Sequence, residues 1–365
     1  MEVLKYLKNH TIEQLEEELS IIVKRYDDRI TLNYNQIDSP KHHPIVKECR
    51  GLILSYPDYK VLARSFDRFF NYLEDPCHKE FDITKALVFK KLDGSLISIY
   101  FDGKEWQIAT RKTAFGEAQT PLGNTYKSLV EKVLGESVHT FFKRTGMQTA
   151  YTHVFEYTSP ENRIVTRYSE PGLHLLNVRH NLSGVDMPAG EQKQIAEELK
   201  IPTAPVYTFE TIEKIEEALK DLPVLEEGYV CYIPEQQWRI KIKNPSYLAV
   251  AHIRVNGVIS AKRIIFLVCD QDHEEYLSKF EEDEPLFRPY INAFNYMLGY
   301  VAAMKKTCMH IQDRKEFALA VKGPAQHIMF GLKDGKKLYE MIDLITMNAK
   351  ERFLEAFVKE MSKGE

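Results

Sequence analysis

Two hydrophobic periods divide this chain, and the place where one gives way to the other limits what it can fold into. Up to Lys243 the apolar residues come in short runs of strand length, broken by turn residues. Ile30 to Tyr34, Leu52 to Ser55, Val61 to Ala63, Trp106 to Arg111, Thr149 to Tyr157, Ile164 to Tyr168, Leu173 to Val178, Gly228 to Ile233 and Trp238 to Lys243 all read as strands. Leu87 to Phe101 reads as a strand pair hinged on Asp93-Gly94, a strong turn signal. Leu129, Val130, Val133 and Leu134 place a helix within 117–146, and a second helix ends near Lys200 after a loop from Asn181 to Gly190. Beyond Asn244-Pro245-Ser246 the spacing changes. Tyr290, Phe294, Met297, Leu298, Val301 and Met304 recur at three and four, which is a helical stripe. The spacing predicts an α+β domain over 1–245 and a mainly α-helical domain over 246–365.

With 365 residues, 44% of them hydrophobic and 28% charged, the chain can fill the cores of two such domains. It has no apolar run near the roughly 18 residues of a membrane span. Met1 to Val23 carries Glu13, Glu16, Glu17 and Glu18, and reads as a Thr11/Gln14 capping box opening an amphipathic helix, not as a signal peptide. The cysteines at 49, 77, 231, 269 and 308 are odd in number and form no C-x-x-C pair. That spacing predicts no disulfides and a reduced, cytoplasmic setting. A net charge of -4 does not announce a nucleic-acid binder; such a partner would need a local basic stripe.

Such a stripe exists. In Trp238-Arg239-Ile240-Lys241-Ile242-Lys243 the apolar residues take one face of a strand and three cations the other, over about 13 Å. Like charges side by side repel, so a row with no acid between them calls for an anion, and a polyphosphate fits. A solvated polar face is the plain alternative. Lys91, in Lys90-Lys91-Leu92-Asp93-Gly94-Ser95, sits where a strand meets a turn. A lysine is a nucleophile only when its amine is neutral, which asks for a pKa lowered by burial or by neighbouring cations. Alone, this string is more simply a hairpin with solvated lysines. Glu156 and Glu227 lie within or beside apolar strands, where a carboxylate needs a metal, a lysine or a hydroxyl as partner.

Taken in order, Lys91-Leu92-Asp93-Gly94, Phe155-Glu156-Tyr157, Glu227-Gly228 and Lys241-Ile242-Lys243 resemble the motifs of the covalent nucleotidyltransferases: RNA ligases, DNA ligases and mRNA capping enzymes. Further strings are similar to the phage RNA ligase 1 group, which seals broken tRNA. They are Glu48-Cys49-Arg50-Gly51, Arg68-Phe69-Phe70-Asn71, Asp93-Gly94-Ser95-Leu96, Pro160-Glu161-Asn162-Arg163-Ile164-Val165 and Leu175-Leu176-Asn177-Val178-Arg179. The likeness continues through Asp313-Arg314-Lys315 and Phe330-Gly331.

The resemblance implies ATP-grasp-like antiparallel sheets with flanking helices, then the helical domain. It implies ATP and Mg²⁺ as substrate and cofactor, and RNA as partner, tRNA with a broken anticodon loop in particular. By position, Lys91 becomes the residue that carries AMP, and Tyr34, Arg50, Arg68, Glu156, Lys241 and Lys243 contact ATP. Asp93, Arg111 and Glu227 support catalysis, Asp93 and Glu227 near the metal. Arg68 and Arg111 stand where relatives have lysines, which keeps charge but changes geometry. The family's metal-binding carboxylate in the helical domain falls among Asp270 and Asp272, with Asp272 preferred. DNA ligases and capping enzymes usually follow the K-x-K strand with a small β-barrel. Helical spacing after Lys243 favours an RNA ligase over both, and a catalytically inactive RNA-binding protein is the remaining alternative.

Overall fold

The computed structural model describes residues 1–343 apart from 121, 224, 252–253, 256–257, 270–272, 324 and 337, together with 354 and 356. The chain divides into two compact units, Met1–His252 and Ile253–Glu365. In the first unit the strands are, in chain order, β1 (Ile21–Arg25), β2 (Arg29–Tyr34), β3 (Arg50–Ser55), β4 (Val61–Ala63), β5 (Phe70–Asn71), β6 (Leu87–Lys90), β7 (Ser95–Phe101), β8 (Trp106–Thr110), β9 (Tyr151–Thr158), β10 (Gly172–His180), β11 (Val206–Tyr207), β12 (Gly228–Ile233) and β13 (Trp238–Lys243).

They form three sheets. The first has order β1-β2-β3-β4, the second β10-β9-β7-β8 and the third β11-β6-β12-β13-β5. All pairings are antiparallel except β13 with β5. Each sheet buries its apolar face under short helices. Val3, Ile12 and Leu15 of the N-terminal helices pack with Leu32 and Leu52 of the first sheet. The Thr11 hydroxyl accepts from Gln14 N–H while the Gln14 side chain accepts from Thr11 N–H, so the capping box read in the sequence forms. Phe141 and Phe142 pack with Trp106, Ile108 and Phe155 of the second sheet. Ile215 and Leu219 pack with Ile240 and Ile242 of the third.

Three expectations of local structure are corrected. The apolar segment within 117–146 makes two helices, Tyr126–Leu134 and Val138–Arg144. Gly135, at φ +75°, ends the first, and the Ser137 side chain caps the second. Ile164 to Tyr168 forms no strand. Its backbone N–H groups at Val165 and Thr166 turn instead to the Asp93 carboxylate, at 2.8 and 2.7 Å.

Asp93-Gly94 is not a hairpin turn. β6 pairs with β11 and β12, and β7 with β8 and β9, so the chain crosses here from the third sheet to the second. Glycine is needed for clearance, because a Cβ on Gly94 would lie 2.2 Å from the Tyr157 carbonyl oxygen.

In the second unit the described residues form the helices Ala261–Cys269, His273–Lys279, Glu284–Cys308, Arg314–Ala320, Gln326–Lys333 and Leu338–Asp343, and a short ladder of Arg254–Val255 with Val258–Ile259. Phe294, Met297 and Val301 of the long helix are buried. Among the described residues no helix is long and apolar enough to cross a membrane.

Candidate active site

In the first unit, Leu96 and Glu156 of the second sheet face Phe89, Val230 and Lys241 of the third across a cavity of about 510 Å³. Strand register gathers the charged groups at one end. Tyr229 pairs with Lys90, and Gly228 with Lys243. Lys91, Glu227 and Lys243 therefore meet on neighbouring strands. The Lys91 backbone N–H donates to the Gly228 carbonyl at 2.8 Å. Its Nζ donates to Glu227 Oε2 at 2.6 Å, and Lys243 Nζ lies 2.7 Å from Glu227 Oε1. Lys90 turns aside and pairs with Glu226 at 2.8 Å.

The electrostatics differ from the expectation for Lys91. Burial pulls its pKa down, but Glu227, Glu156 and Asp93 outweigh burial and hold it above the ordinary lysine value. These carboxylates favour the ammonium form of Lys91. Burial pushes Glu227 up, and Lys91 and Lys243 more than reverse that. Glu156, on β9, is raised to about 8, chiefly by burial; Lys91 and Arg50 pull against the rise and Glu227 and Asp93 add to it. Lys241 is lowered to about 7 by burial and by Lys91, Lys243 and Arg50, with Glu74 opposing. The neutral amine is therefore favoured at Lys241 more than at Lys91.

Asp93 also has a structural part. Its Oδ2 accepts from Val165 and Thr166 N–H, and its Oδ1 accepts from the Tyr247 hydroxyl at 2.8 Å. The Tyr168 hydroxyl accepts from Asp93 N–H at 3.1 Å. The carboxylate is thus a clamp that holds the loop after β9 and the helix Pro245–Ala251 around the Lys91 turn. Three donors leave the carboxylate one open lone pair at Oδ1, and Glu227, held by two lysines, keeps a lone pair on each oxygen.

The row of cations on β13 does share one face, and all three line the cavity. They are not equivalent. Arg239 is neutralised by Asp186, 2.6 Å away and buried, and stacks on Tyr232 at 3.6 Å from the ring centroid. Lys243 is shared with Glu227, so among the described residues Lys241 alone of the three makes no ion pair. Arg50 also lines the cavity. Beside it the Tyr34 ring lies between Arg68, at 4.1 Å, and Arg111, at 5.4 Å from its centroid. The Nη1 atoms of Arg50 and Arg68 are buried without a hydrogen-bond partner. Buried donors of that kind suit an anion.

Asp270 and Asp272 lie outside the described residues. Among the described residues no three His, Cys, Asp or Glu side chains gather into a metal cage. Residues that the sequence motifs do not name complete the site: Tyr168 and Tyr247 at Asp93, Asp186 at Arg239, and Asn162. Asn162 accepts from Tyr126 and Ser95 hydroxyls at 2.8 and 3.1 Å and so fixes the start of the clamped loop. Only Asn162 lies in a string singled out above. The others make contacts between segments distant in the chain, which no local pattern reports.

A family model described as RNA ligase matches residues 48–247. A protein of Autographa californica nuclear polyhedrosis virus, named for polynucleotide kinase and RNA ligase together, is 34% identical over 311 residues, covering 81% of this chain and 44% of its own length. An RNA ligase of Rhodothermus phage RM378 is 26% identical over 304 residues, covering 66% of this chain and 67% of its own. This chain therefore spans less than half of the baculovirus relative. Among solved structures, an archaeal ATP-dependent RNA ligase superposes with a TM-score of 0.48 at 13% identity, over 97% of this chain and 79% of that one.

Proposed function

The chain belongs to the RNA ligase family, and from that premise we propose that it joins RNA ends with ATP through an adenylate carried on Lys91. The observation that carries the reading is the lysine of the K-x-D-G string, held by Glu227 in a cavity with Glu156 and the cationic face of β13.

Three displacements at phosphorus make up the reaction. Lys91 Nζ, after giving its proton to solvent, attacks the α-phosphorus of ATP; the bond to the bridging oxygen breaks and pyrophosphate leaves. An oxygen of an RNA 5′-phosphate next attacks the phosphoramidate, the N–P bond breaks, and the amine regains a proton. Last, an RNA 3′-hydroxyl attacks the activated 5′-phosphate, its proton passes to solvent, and AMP departs. Such steps depend on alignment and on neutralising charge. Lys241, Lys243, Arg50 and Arg68 supply the positive charge, and the Arg50 and Arg68 Nη1 groups, without a partner among the described residues, donate hydrogen bonds to phosphate oxygens. Removing one such contact costs about 2–4 kcal/mol in the transition state, or roughly 30- to 1000-fold in rate.

Of the three carboxylates near Lys91, Glu156 accepts no hydrogen bond from the described residues and lines the cavity, so it fits Mg²⁺ or its bound water most readily. Mg²⁺ would supply phosphate neutralisation and a cation that favours the free amine of Lys91. The resemblance to the phage RNA ligase 1 group supports a tRNA cut in its anticodon loop as the RNA, and the cytoplasm, of a host cell if phage-encoded, as the place.

The test is sealing. Given ATP, Mg²⁺ and single-stranded RNA with a labelled 5′-phosphate and a free 3′-hydroxyl, the protein should render the label resistant to phosphatase. Nicked DNA sealed in preference to RNA, or GTP used in preference to ATP, would turn the assignment to a DNA ligase or a capping enzyme. A cleaved tRNA should be sealed faster than linear RNA; equal rates would remove the tRNA reading and leave the ligase.

A further inference from the structure

We infer that Gln192 reads the 6-position of the purine base and sets the preference for adenine; this rests on the proposal that a nucleoside triphosphate occupies the cavity.

Gln192 lies on the helix Ala189–Leu199, outside every motif, and lines the cavity. Its Nε2 donates twice, to Asn177 Oδ1 at 3.0 Å and to the Met187 carbonyl at 2.6 Å. Both partners are acceptors only at those atoms. Turning the amide over would set its oxygen against two oxygens, so its orientation is fixed by the network. Asn177 is itself fixed. It is fully buried, sits at the bulge in β10, and donates from Nδ2 to Asp186 Oδ1 at 2.7 Å. Asp186 is held by Arg239 at 2.6 Å. Four residues thus lock the Nε2 side of Gln192, and no hydrogen bond from the described residues reaches its Oε1.

That oxygen belongs to the end of the cavity away from the nucleophile. Lys243 shares Glu227 with Lys91, whereas Arg239, four residues back along β13, shares Asp186 with Asn177. The two ends are about 13 Å apart. An α-phosphorus poised for attack lies roughly 3–3.5 Å from Lys91 Nζ. The base, at the other end of the nucleotide, then lies between Phe89 and Val230 on one side and Leu96 on the other. Its hydrogen-bonding edge faces the Gln192 end. A 6-amino group donates to the locked oxygen. The 6-oxo group of guanine sets acceptor against acceptor, and the amide cannot rotate to relieve it.

Rates of nucleotide transfer to the protein with ATP, with purine riboside triphosphate, which has hydrogen at the 6-position, and with GTP test this. The wild type should favour ATP over purine riboside triphosphate by roughly tenfold, the scale of one hydrogen bond, and over GTP by more. Gln192→Met should bring the first ratio near one, through KM, and narrow the second. Each ratio is read within one protein, so a partial folding defect leaves it unchanged; Gln192→Leu is read the same way should the methionine variant be insoluble. A variant that keeps the wild-type ATP preference overturns the inference alone. Wild type that forms no adduct with any of the three overturns the ligase proposal and the inference with it.

Discussion

Glu227 lies between two lysines, and its replacement separates two effects at the residue scale. It raises the pKa of Lys91, against the pull of burial. Glu227→Gln removes that rise, so the free amine appears at lower pH. The rising limb of adduct formation against pH should shift downward, while the rate at its plateau falls roughly 30- to 1000-fold from lost alignment. An unshifted limb would show that Glu227 does not control the nucleophile. His153 gives a second residue-scale prediction, for stability. It is buried against Trp106 and Phe142, its Nδ1 has no partner, and burial lowers its pKa to about 3. Between pH 6.5 and 3 the unfolded chain takes up a proton there that the folded chain does not, so stability is lost as pH falls through that window. In His153→Leu the loss between pH 7 and pH 4, measured by urea unfolding, should shrink by about 3 kcal/mol. The positions of Lys91, Glu156 and Lys241 were legible because their motifs recur in order along the chain. Their charge states were not, because Glu227 reaches Lys91 from a neighbouring strand far away in sequence and Glu156 from the other sheet.

At the scale of elements, the strand content was readable from alternation, as in Trp238–Lys243, whose apolar residues Ile240 and Ile242 are buried while its cations line the cavity. Partnership between strands was not. Asp93-Gly94 has the composition of a hairpin turn, yet the need there is for clearance between two sheets. Gly94→Ala would force a methyl into the Tyr157 carbonyl. Overpacking of this kind costs about 1–3 kcal/mol, so the thermal unfolding midpoint should drop by roughly 2–12 °C, together with loss of adduct formation. A variant as stable and as active as the wild type would show that the crossing is looser than described. Ile164 to Tyr168 was misread for the converse reason. Its apolar content matches a strand, but Asp93, far away in sequence, claims its backbone donors.

For the whole molecule, a net charge of -4 conceals a cationic cavity, because pairing decides which charges remain available. Lys90, Lys91, Lys243 and Arg239 each have a carboxylate, while among the described residues Lys241 and Arg50 make no ion pair. Every described residue lining the cavity lies within Met1–His252. A chain ended after His252 should therefore still form the covalent adduct, with any loss falling on the choice and sealing of RNA. Loss of the adduct would assign the second unit a part in nucleotide transfer itself. Lys91 is where the three scales meet, and mapping the modified residue tests it most directly. After incubation with ATP and Mg²⁺, peptide mass spectrometry should find a single acid-labile AMP on Lys91, absent in Lys91→Ala. AMP on Lys90 or Lys241, or an adduct that survives Lys91→Ala, would contradict the account.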